Sequence, residues 1–72
     1  MRLVHTEEVR PGVWVQAYLE GDADWALRAF EVGPKRKEVP ATVTVEACRG
    51  VLRTAQRQER ERQADELRGG RV

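Results

Sequence analysis

The chain has 72 residues, 40% of them hydrophobic and 35% charged, with a formal net charge of +1 at pH 7. A length of this order holds one domain, whose single core supplies only about 3 to 5 kcal/mol, while the hydrophobic share excludes a wholly disordered chain and the charged share excludes burial of most of it. With one cysteine, Cys48, and one histidine, His5, neither an intramolecular disulfide nor a zinc site of Cys and His ligands can be built.

Residues 2–9 mix apolar and polar side chains without clear alternation, and Arg10, Pro11 and Gly12 then signal a turn, so the first element reads as a short edge strand. The next signal is cleaner. Val13, Val15, Ala17 and Leu19 alternate with Trp14, Gln16, Tyr18 and Glu20, the period-2 pattern of a strand buried on one face, in residue types that favour strands.

Gly21, Asp22, Ala23 and Asp24 break that pattern, and residues 25–32 admit two readings. As a strand, the segment pairs with its predecessor and puts Trp25, Leu27 and Ala29 on one face, Arg28 and Phe30 on the other. As a helix, it takes Asp22 or Asp24 as N-cap and stops at Gly33 and Pro34. Its shortness and the hairpin-like loop before it favour the strand.

Residues 33–40 compose a loop with Lys35, Arg36 and Lys37 at its tip. Residues 42–45 are compatible with a further short strand, but Thr44 followed by Glu46 makes a good helix N-cap with an acid in the first turn, and the helix is started there. Val45, Cys48, Val51, Leu52 and Ala55 recur at helical spacing in spite of Gly50, and Leu52 is expected inside together with Leu19. Beyond Ala55 the same face carries Glu59, Arg62, Gln63 and Glu66, so apolar packing stops. Pairs four apart, Arg57 with Glu61 and Arg62 with Glu66, support an exposed helix in a segment where 9 of 17 residues are charged.

These elements define an α+β fold: a three-stranded antiparallel sheet packed on one face by one long C-terminal helix. Residues 1–55 form the single domain core, and residues 56–72 a charged helical overhang fraying to a disordered tail.

Catalysis has little to stand on. Cys48 lies on the apolar stripe, where a small buried hydrophobe is the ordinary role, and His5 sits among Thr6, Glu7 and Glu8 as a surface residue. Glu20, Asp22 and Asp24 crowd a loop without the twelve-residue calcium pattern. No enzyme, cofactor, metal or small-molecule substrate is expected. The N-terminus lacks the apolar core of a signal peptide and no run reaches membrane-spanning length, so the chain reads as a soluble cytoplasmic protein without membrane contact.

Two surfaces carry functional expectations. Trp14, Tyr18, Arg28 and Phe30 share the sheet face turned away from the helix, an arrangement that suits a homo-oligomer or protein interface and, secondarily, base stacking. Arg49, Arg53 and Arg57 stand four apart on the helix, extended by Arg60 and joined by Lys35, Arg36 and Lys37 in the loop, and could grip phosphates unless Glu46 and Glu61 neutralise them. Charge is also divided: residues 1–34 carry 3 basic and 6 acidic side chains, residues 35–72 carry 10 and 6. The leading functional reading is a small non-enzymatic interaction protein working through the sheet face and the projecting helix. The alternative is a nucleic-acid-binding accessory or regulatory protein using the arginine edge and the basic loop.

Overall fold

The computed structural model describes residues 1–69. Strands β1 (Arg2–Arg10), β2 (Val13–Glu20), β3 (Asp24–Val32) and β4 (Glu38–Pro40) are followed by one helix, α1 (Val45–Gly69). The strands form one antiparallel sheet in the order β1-β2-β3-β4, and α1 packs across one face, chiefly over β1 and β2. The expected α+β architecture is present with four strands instead of three. Residues 25–32 belong to a strand, and the added strand falls in the segment read as loop, where Val39 pairs with Glu31 and Pro40 with Phe30.

The irregular pattern of residues 2–9 has a specific cause. The register of β1 against β2 slips between Leu3 and His5 and again between Glu8 and Arg10, inserting Val4 and Val9 as unpaired extra residues. Each bulge resets the alternation, and both valines pack against the core. The bulges also kink the outer edge of β1, while β4 is three residues long and ends in proline. Such edges resist pairing with another sheet edge.

Both tight reversals of the first three strands use glycine in the left-handed region, Gly12 at φ 77° after Pro11 and Gly21 at φ 72°. The β3 to β4 turn has no glycine at its centre: Lys35 and Arg36 take φ of 63° and 59°. Lys37 N donates to the Pro34 carbonyl at 3.5 Å and Gly33 N donates to the Lys37 carbonyl at 2.8 Å, closing the loop around these two strained residues.

Thr44 caps α1 as its position implies, its Oγ1 accepting from Ala47 N at 3.1 Å. The core comprises Val13, Val15, Ala17 and Leu19 on β2 with Val51 and Ala55 on α1, flanked by Trp25, Ala29 and Val43. Val15, Ala17, Val51 and Ala55 have no exposed surface. Leu52 and Cys48, expected inside, are only half-buried, and Val45 is 65% exposed, because the buried line of the helix runs through positions 51, 55 and 59, to one side of the expected stripe. Its third member is charged, and Glu59 is 6% exposed. From Arg60 to Arg68 every residue is exposed. The helix stays regular through this exposed part to Gly69, and the tail expected at residues 70–72 lies outside the described residues.

Candidate functional site

The face of the sheet opposite α1 gathers the four residues expected there. Pairing sets Trp14 beside Phe30, Gln16 beside Arg28 and Tyr18 beside Ala26 on the two central strands. Gln16, which sequence reasoning placed on this face but gave no role, is the hub. Its Oε1 accepts from Tyr18 Oη at 2.7 Å and from an Arg28 guanidinium nitrogen at 3.0 Å. Arg28 also pairs with Glu38 of β4, and its Cζ stands 4.5 Å above the centre of the Phe30 ring. The Arg28 pKa is raised, first through its hydrogen bond to Glu38 and then through Tyr18.

That network changes the character of the patch. Phe30 is 7% exposed, so it is a floor rather than a stacking platform, while Trp14 and Tyr18 remain half-exposed. Leu3, which pairs with Tyr18, is 46% exposed and Val32 49%. The remaining acids of this face, Glu8, Glu20 and Asp24, sit at strand ends. The middle of the face is therefore aromatic and internally hydrogen-bonded, and its perimeter mixes exposed Leu3 and Val32 with the acids Glu8, Glu20 and Asp24.

The arginines lie on the other side of the molecule. At about 100° per residue, Arg49, Arg53, Arg57 and Arg60 fall within roughly 80° of arc, nearly opposite the line through Val51, Ala55 and Glu59. All four are exposed, and none forms an ion pair or side-chain hydrogen bond among the described residues. Glu46 and Glu61 do not pair with them. Lys35, Arg36 and Lys37 are exposed at the β3 to β4 turn, at the end of the sheet where Val32 N meets the Gly12 carbonyl at 3.3 Å.

A third cluster went unrecognised in the sequence. Glu59 accepts from Arg2 at 2.7 Å and from Arg62 at 2.9 Å, with Gln63 Nε2 donating at 3.2 Å. Arg62 first, and then Arg2, hold the Glu59 carboxyl down from its ordinary 4.5 to about 2. Arg62 also takes Glu66 at 2.5 Å, one of the two expected pairs four apart. The cluster ties the start of β1 to the helix, and its 57-residue separation left no local signal.

His5 Nε2 lies 3.0 Å from Glu7 Oε1, and no group of three or more His, Cys, Asp or Glu side chains that could hold a metal occurs among the described residues. Two open depressions flank α1. One, of about 400 Å³, is lined by Val9, Arg10, Thr42, Val43, Thr44 and Ala47. The other, of about 280 Å³, lies between Asp22 and Trp25 and the helix side chains around Glu59. No helix of the described residues is long and apolar enough to cross a membrane. No known protein family, characterised protein or solved structure matches the chain.

Proposed function

We propose that this chain is a non-enzymatic interaction module of the cytoplasm that works as a homodimer, with the outer face of its sheet as the contact. The observation that carries the reading is the arrangement of that face: half-exposed Trp14 and Tyr18 on either side of Gln16 along β2, Gln16 and Arg28 already paired by the chain's own groups, and Leu3, Val32 and acids around them. Covering such a surface removes apolar area from water without stranding its central polar groups, which is the anatomy of a stable contact.

Size favours a second copy as the occupant. Strands of nine, eight, nine and three residues at ~3.3 Å per residue and ~4.8 Å apart give a face of about 450 Å² in projection. Side-chain relief raises that toward the ~800 Å² per partner of a standard interface. A chain with seven buried apolar side chains among the described residues also gains most from a contact that enlarges its core. An isologous pairing of the two faces closes on itself, leaving the helices outermost on both sides.

Light scattering across a dilution series tests this directly. Twice the chain mass is expected at high concentration, falling toward one chain on dilution, with the thermal midpoint following concentration. Trp14→Ala removes a central anchor and shifts the equilibrium to monomer. A single-chain mass at every concentration, with Trp14 readily quenched in a Trp25→Phe background, refutes the dimer.

A further inference from the structure

We infer that the outer ridge of α1 is a docking surface for the phosphate backbone of double-stranded DNA, with Arg49, Arg53, Arg57 and Arg60 as its contacts.

The partnering of the arginines separates two populations. Arg2 and Arg62 bind Glu59, Arg28 binds Glu38, Arg68 binds Asp65 at 2.8 Å, and Arg10 donates to the Thr42 carbonyl at 3.4 Å. The four ridge arginines, like Arg36 in the β3 to β4 turn, have no such partner among the described residues, although a helix with Glu46, Glu61, Asp65 and Glu66 offers acids nearby; the ridge alone sets four of them in a row. Those acids occur toward its two ends. Between residues 47 and 60 the one acid is Glu59, which is turned to the sheet and already shared by two arginines. The result is an unneutralised row about 16 Å long at 1.5 Å per residue, with a cation at nearly every turn.

The chemistry of the row selects among polyanions. A protein partner needs an apolar anchor within the contact, and an anionic lipid surface needs apolar side chains to insert; the ridge from Arg49 to Arg60 has neither. Single strands are held by aromatics that stack bases, and α1 contains no aromatic residue. What remains is a regular array of phosphates. Guanidinium groups suit phosphate oxygens, and the wide major groove of B-form DNA admits a helix, whereas the deep, narrow one of duplex RNA does not. No base-reading constellation accompanies the row, so recognition is of backbone rather than sequence.

The ridge points away from the sheet, so this surface operates whether or not two chains pair through their outer sheet faces. The two readings therefore fail separately.

The test uses the full chain and a fluorescently labelled 20-base-pair DNA duplex of arbitrary sequence, read by anisotropy between 20 and 200 mM salt. Binding is expected to weaken with a log–log slope of about −3 to −4, the value for four phosphate contacts. Replacing Arg53→Gln and Arg57→Gln together should weaken binding at least about tenfold at low salt and flatten the slope by about 2, roughly one unit per lost contact. Neither residue forms an ion pair or side-chain hydrogen bond among the described residues, so the thermal midpoint should barely move. Replacing Lys35, Arg36 and Lys37 with glutamine should leave the slope nearly unchanged. The inference is overturned by absence of binding at 20 mM salt, or by binding that the ridge variant retains. Tighter binding to duplex RNA, to a single strand with quenching of tryptophan, or to anionic vesicles overturns it as well.

Discussion

Truncation of Val51 measures where the helix meets the sheet. Val51 has no exposed surface and packs with Val15, Ala17 and Ala55. Val51→Ala removes the equivalent of two methylene groups, about 1.6 kcal/mol at ~0.8 each. Its fully buried neighbours are short or β-branched and can close little of the space, so a void of roughly 50 Å³ adds about 1.2 kcal/mol. The expected cost is about 3 kcal/mol, most of the stability a domain of this length commands. Leu52→Ala deletes one more carbon but from a half-buried position, where about half of its ~2.4 kcal/mol is at stake and no closed void forms, so about 1.2 kcal/mol is expected. Urea unfolding followed by circular dichroism resolves the two: with a slope of about 1 kcal/mol per molar, the midpoints should fall by about 3 M and 1 M. A variant too unstable for a baseline is compared by thermal midpoint in sucrose, where the same order must hold. If Leu52→Ala costs as much as Val51→Ala or more, the buried line through positions 51, 55 and 59 is misplaced.

Acid should act through the Glu59 cluster. Its carboxyl is held at about 2 in the folded chain against an ordinary 4.5, so its contribution is fully present above about pH 4.5 and is lost as pH falls toward 2. The stability gap between the parent and Glu59→Gln should shrink over that window, and a gap of constant size from pH 6 to pH 2 would exclude the assignment. Gly50 stands in the helix with nothing within 4 Å of the place a Cβ would occupy, so Gly50→Ala should raise stability by about 1 kcal/mol, and a loss on thermal melting would mean that this face of the helix is in contact with something.

Local pattern carried much of this protein. The alternation from Val13 to Leu19 needs no partner to be legible, since one face of a strand must be apolar to be buried. The Thr44 cap is equally local, because the unpaired N–H groups of a first turn recruit the nearest side-chain oxygen. Alternation also brought Trp14, Tyr18, Arg28 and Phe30 to one face once residues 25–32 were taken as a strand. What their grouping could not convey was that Arg28, drawn to Glu38 on the fourth strand, would lie across Phe30 and close it off. That strand escaped notice because three residues ending in proline have no periodicity, and only the exposed edge of β3 gives them a place to pair. The bulges at Val4 and Val9 likewise erase alternation in the sequence, while in the fold they send both valines to the core. On the helix, spacing fixed a face to within one residue, and packing against the sheet decided the rest: Val51 and Ala55 are fully covered, Cys48 and Leu52 only by half. Glu59 looked like the end of packing because a charge alone is costly to bury. It became part of the contact because the tertiary structure delivers Arg2, from the opposite end of the chain, to meet it.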